Sequence, residues 1–91
     1  MIEHLATRFR VFDIVSVSPS YQYYGDYRDE TFIITGIVYN NRDRWSYRED
    51  VSIMELELSI HLTEYRDNKF LGAPTDGWKD EDLVLVHRSV K

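Results

Sequence analysis

The chain contains no cysteine. That excludes a disulfide framework and any Cys-based zinc site, and it fits a reducing cytoplasm. No run approaches the roughly 18 consecutive apolar residues of a membrane-spanning helix, and the N-terminus carries Glu3 before any long apolar stretch, so it does not read as a signal peptide. Positive charge is scarce, with 11 Lys and Arg against 16 Asp and Glu and a net charge of −5. Binding to a phosphate backbone usually shows as a basic patch or stripe, and here the two signs are interleaved. The charge therefore argues for solubility and against nucleic acid as the main partner. There is no internal repeat and no low-complexity segment.

Motifs of catalysis are missing as well. No nucleophile elbow, phosphate loop, metal-spaced histidine pair or paired-carboxylate motif occurs. Glu57 and His61 fall on one strand face four residues apart, about 13 Å at strand rise, which is too far for a direct acid–base pair. His4 and His87 have no local partners in sequence. Asp80, Glu81 and Asp82 form an acidic cluster but lack the alternating Asp pattern and glycine of a calcium loop, and they read as solvated acids at a turn. The sequence predicts no enzyme, no metal and no cofactor.

What is present is β-forming. At 91 residues the chain is one domain with a small core. Residues 31–39 are nearly continuous in β-branched and aromatic side chains and read as a buried central strand. Gly36 within it suggests a bulge or a bend approached by another backbone. Residues 9–17 read as a first strand, with Phe9, Val11, Val15 and Val17 on one face, interrupted by Asp13, and Pro19 stopping it. Residues 51–65 alternate most clearly. Met54, Leu56, Leu58, Ile60 and Leu62 are apolar, and the odd positions Glu55, Glu57, Ser59, His61 and Thr63 are polar and expected in water. Val51 and Ile53, out of phase, hint at a bulge. A tight turn at 66–69 leads to a short return strand at Phe70 and Leu71. Residues 72–77 read as irregular, residues 79–82 as a single 3-10 turn, and residues 83–86 as the last strand. Residues 1–8 read as a polar leader, frayed or lying over one end, and 88–91 as a polar tail.

Five strands, two long early loops and no helix make a small, strongly bent all-β barrel. Residues Phe12 to Val17 resemble the opening strand of small SH3-like barrels, with Phe12 where that family usually has glycine. Thr35 to Val38 resemble its second strand, and Asp76 to Val86 its closing one-turn helix and last strand. Over residues 9–87 the chain resembles short SH3-like proteins of bacteria and phages, and more distantly the photosystem I accessory subunit of this fold. The resemblance implies a five-stranded SH3-like barrel. It also suggests a phage or mobile-element protein that binds and inhibits or redirects a host or defence protein. The Ala-Leu-Tyr-Asp-Tyr signature of signalling SH3 domains is absent, so a proline-rich-peptide groove does not carry over.

The candidate site is aromatic. Tyr21, Tyr23, Tyr24 and Tyr27 crowd the first loop beside Arg28, and Arg42, Arg44, Trp45, Tyr47 and Arg48 crowd the second. Tyr, Trp and Arg are the residues that interface hot spots favour. Two readings stand side by side: these rings anchor a protein partner, or they plug the open ends of a small barrel. Glu55, Glu57, Glu64, Asp80, Glu81 and Asp82 form a secondary acidic surface, read mainly as solvated and otherwise as a steering patch. Trp78 reads as a core residue. The leading functional reading is a non-catalytic protein–protein interaction module of the cytoplasm. The alternatives are a small-molecule or nucleotide-binding module using the same aromatic–Arg loops and, less favoured, single-stranded nucleic-acid binding. An edge strand at 70–71 or 51–65 offers a second copy a place to pair.

Overall fold

The computed structural model describes residues 6–41 and 56–89. Five strands appear: β1 (Ile14–Val17), β2 (Phe32–Asn41), β3 (Leu56–Arg66), β4 (Lys69–Trp78) and β5 (Leu83–His87). They form one antiparallel sheet in the order β4-β3-β2-β1-β5, so β4 and β5 are its edges and the ladder runs open between them. Short 3-10 turns at Tyr24–Asp26 and Asp80–Asp82 complete the all-β domain.

Alternation along each strand gathers one core on one face. Val15, Val17, Phe32, Ile34, Leu58, Ile60, Leu62 and Leu83 are buried there, joined by Phe9 and Trp78. β2 contributes from both parities because its register shifts between Ile34 and Gly36. Before the shift, Ile34 faces Leu62; after it, Ile37 faces Ile60 and packs against the same core. A bulge that turns the strand over is why 31–39 reads as continuously apolar. The bulge at Gly36 matches expectation, but no backbone crowds it. A Cβ added at Gly36 would meet the His61 side chain at 3.7 Å, an ordinary contact.

Several expectations are corrected. The first strand is short, because Phe12 adopts a left-handed backbone (φ 76°) and breaks extension ahead of Ile14. Phe9 is buried from outside the strand, and Val11 is exposed. Residues 72–77 are not irregular but belong to β4, which absorbs its extra residues at register shifts opposite Ile60–Leu62 and Leu62–Glu64. Gly72 and Gly77 take φ of 80° and 82°, and Pro74 is tolerated because β4 is an edge. The polar face of β3 is not uniformly solvated. Ser59 and Thr63 are buried, and the Ser59 hydroxyl accepts the Gly77 N–H at 2.9 Å. The turn at Asp67 and Asn68, both left-handed, forms the expected tight hairpin between β3 and β4. The suspected bulge at Val51 and Ile53 lies outside the described residues.

Asp13, the residue that broke the alternation, is fully buried. Its Oδ2 accepts the Arg10 N–H at 2.9 Å and its Oδ1 the Ser89 N–H at 2.7 Å. The Arg88 guanidinium stands 3.4 Å from Oδ2. One carboxylate thus ties the approach to β1 to the chain leaving β5. At the other end of β5, Thr7 Oγ1 and the Arg8 N–H both donate to Asp80 Oδ1, at 2.6 and 3.0 Å. The stretches at 7–8 and 88–89 are therefore fastened to the sheet rather than loose.

Asp13→Ala is expected to lower stability by about 3 kcal/mol, since it orphans two N–H groups and strips Arg88 of its counter-charge. Asp13→Asn keeps one acceptor and should cost less. Urea denaturation of both variants checks the ranking; equal stability to the parent would remove this clamp from the account.

Candidate functional site

The loop between β1 and β2 is a chain of tight turns. Backbone N–H groups of Tyr21, Tyr24, Tyr27 and Glu30 donate to the carbonyls of Ser18, Tyr21, Tyr24 and Tyr27, at 2.9 to 3.2 Å. Steps of three place Tyr21, Tyr24 and Tyr27 on one side of this coil, and all three pack against the core. Tyr23 falls on the other side and is 55% exposed.

Trp78 is the anchor for this arrangement. It is buried at the end of β4, and its indole N–H donates to Thr75 Oγ1 at 2.9 Å. Tyr21 and Tyr27 lie 5.2 and 5.3 Å from its ring centroid, the second edge-on at 82°. Phe32 joins from β2, 6.0 Å from Tyr27 and 6.4 Å from Trp78. These separations are those of favourable tilted and edge-to-face pairs. Tyr23 touches the cluster from outside through Tyr21, at 5.9 Å and 71°.

The two readings of the tyrosine loop therefore separate by residue. Tyr21, Tyr24 and Tyr27 close the core beside Trp78, while Tyr23 and Arg28 are presented to solvent. Partial burial raises the Tyr21 phenol above the ordinary 10.0, with Tyr27, Asp82 and Tyr23 adding to the shift. Arg42, Arg44, Trp45, Tyr47 and Arg48 lie outside the described residues, as do Glu55 and His4.

The acidic surface divides too. Asp80 holds Thr7 and Arg8, with Arg8 Nε 3.4 Å from its Oδ2. Asp82 Oδ2 accepts the Lys79 N–H at 3.0 Å and caps the 3-10 turn. Lys79 in turn donates to the Leu58 carbonyl at 2.8 Å. Two of the acids are thus committed to holding the turn ahead of β5. Glu81 is exposed, and Glu57 and Glu64 are half-buried on β3. Among the described residues, no three His, Asp or Glu side chains gather in a way that could hold a metal ion, and no helix is long and apolar enough to cross a membrane.

The opposite face of the sheet carries a feature that the sequence pattern did not single out. Phe12, Ile14, Ile33, Tyr65, His87 and Arg88 line a groove of about 440 Å³. Its residues come from four separate segments, and only the position of Phe12, where the resemblance expects glycine, gave a local signal. Family models, curated proteins and solved structures were compared with the chain, and none matches it.

Tyr21→Ala and Tyr27→Ala are expected to destabilise the fold by about 1–3 kcal/mol, and Tyr23→Ala by less than about 0.5 kcal/mol. Because folding raises the Tyr21 pKa, its neutral ring contributes fully below pH 10.0, and that contribution is lost as pH rises through the folded value. Tyr21→Phe removes this part of the alkaline loss. Chemical denaturation at pH 8 and above pH 10 reads both effects; an unchanged alkaline loss in Tyr21→Phe would exclude Tyr21 as its source.

Proposed function

We propose that this chain is a non-catalytic module that binds a protein partner through its aromatic loops, on an SH3-like arrangement of five strands. The strand order, the bulges that bend β2 and β4, and the 3-10 turn ahead of β5 support that arrangement. One observation carries the functional reading. The first loop is anchored on Trp78 by two of its tyrosines, and that anchorage holds Tyr23 outward at 55% exposure. A stiff aromatic side chain on a preorganised loop loses little entropy on binding, which is what an interface anchor needs. Arg28 in the same loop, and Arg42, Arg44, Trp45 and Arg48 in the sequence that follows β2, supply the residue types that partner such anchors. The resemblance to phage proteins gives a specific version, in which the module occupies a host or defence protein and blocks or redirects it.

Affinity capture from host lysate with the tagged protein tests this reading. Tyr23→Ala and Trp45→Ala are expected to weaken capture of a stoichiometric protein by about 1–3 kcal/mol, while Glu81→Ala leaves it unchanged. Equal capture by both loop variants would take the loops out of the interface. A thermal midpoint raised by saturating nucleotide, with nothing captured, would instead favour the small-ligand module.

A further inference from the structure

Asp76–Gly77 is the chain's one Asp-Gly pair, and there is no Asn-Gly. It sits in a bulge on the edge strand β4. Ile60 pairs with Trp78 and Leu62 with Thr75, so Asp76 and Gly77 together oppose His61. Asp76 is exposed, and among the described residues its carboxylate has no hydrogen-bond or ion-pair partner. Gly77 is left-handed (φ 82°), and a Cβ built on it would meet nothing within 4 Å. A free carboxyl next to an uncrowded glycine amide is the arrangement from which an aspartate isomerises.

The chemistry needs only water. The Gly77 amide nitrogen attacks the Asp76 carboxyl carbon. A new N–C bond closes a five-membered succinimide, and the amide hydrogen and the carboxyl OH leave together as water. A second water then opens the ring at either carbonyl. Opening at the original main-chain carbonyl leaves the chain running through the Asp76 side chain. That product is isoaspartate, equal in mass and one methylene longer in the backbone. Glycine favours the attack because no side chain shields its nitrogen.

Two hydrogen bonds of the fold oppose this reaction. The Gly77 N–H donates to Oγ of the buried Ser59 at 2.9 Å. To react, the nitrogen must give up that bond and turn from β3 toward the Asp76 carboxyl. The Trp78 indole N–H donates to Thr75 Oγ1 at 2.9 Å and so spans the bulge from one side to the other. We propose that Asp76–Gly77 is a site of spontaneous isoaspartate formation, and that the Ser59 hydroxyl sets its rate by holding the Gly77 N–H. The consequence falls on Trp78. The added methylene lies between Thr75 and Trp78, so it opens the span that the indole bond closes and shifts the ring on which Tyr21 and Tyr27 pack. None of this depends on the interaction-module reading.

The test is ageing of the folded full chain at neutral pH and body temperature, followed by tryptic digestion. Cleavage after Lys69 and Lys79 releases residues 70–79, in which Asp76 is the one aspartate. Isomerisation splits this peptide into two chromatographic peaks of equal mass, one of which accepts a methyl group from an isoaspartate methyltransferase. The split is expected to be slow in the parent and fast in urea. In Ser59→Ala it should run about five-fold faster than in the parent, the factor for losing one hydrogen bond. Asp13→Asn, which weakens the fold at the far side of the sheet and keeps Ser59, should age as the parent does. The aged form, separated from the unmodified chain, should have a lower thermal midpoint. The proposal is overturned by a parent rate equal to that in urea, or by a Ser59→Ala rate equal to the parent's. It is also overturned if Asp13→Asn ages as fast as Ser59→Ala, which would assign the reaction to global unfolding. An unchanged midpoint in the aged form would overturn the consequence for Trp78.

Discussion

The buried Asp13 carboxylate is the constraint around which the two ends of the domain are arranged. An isolated carboxylate without water would be untenable. Here it accepts two backbone N–H groups and faces a guanidinium. Those partners come from opposite ends of the chain, Arg10 before β1 and Arg88 and Ser89 after β5. Satisfying one charge thus holds the sheet's β1–β5 side together without a large apolar core. The same turn gives Phe12 its left-handed backbone, because the chain must reverse between Arg10 and Asp13 to bring the Arg10 N–H onto the carboxylate. A structural requirement at Asp13 and an exposed ring at Phe12 are neighbouring consequences of one turn.

The other side of the molecule is organised by Trp78. A domain of this size has few side chains with which to cover its core. The aromatic loop supplies the missing cover: Tyr21, Tyr24 and Tyr27 come down on the core every third residue, with Trp78 and Phe32 beneath. What is left outward, Tyr23 and Arg28, is offered by a loop whose conformation is already fixed. Three rings of the loop cover the core and one is left in solvent.

The two edges of the sheet are unlike. β4 is interrupted by Gly72, Pro74 and Gly77 and by two register shifts, all of which discourage a further strand from pairing there. β5 is apolar from Leu83 to Val86, and Val84, Leu85 and Val86 are each more than a third exposed. Part of that edge is engaged, since the Leu83 carbonyl accepts the Arg8 guanidinium at 2.7 Å. The bulges that protect β4 also bend it, so that Trp78 ends beside Ile60 and within reach of the tyrosine loop.

Local pattern alone determined that this chain is all-β, because alternation in β3, the apolar density of β2 and the turn residues between strands are properties of neighbouring residues. It also pointed to a bulge or bend at Gly36, a tight turn at 66–69, a 3-10 turn at 79–82, observed at 80–82, and Trp78 in the core. Tertiary structure decided what depends on residues distant in sequence. Asp13 read as an interruption until Arg88 and Ser89 were brought to it. Residues 72–77 read as irregular until β3 lay alongside to define them as a bulged edge strand. The four loop tyrosines were equivalent as letters, and only packing against the core, for Tyr21 and Tyr27 directly on Trp78, separated three that cover it from the one that faces outward. The groove of Phe12, Ile33, Tyr65 and Arg88 draws on four segments that no local window contains. Secondary structure follows from short-range sterics and periodicity, whereas a buried charge, a ring cluster or a binding surface exists only once the sheet has brought its contributors together.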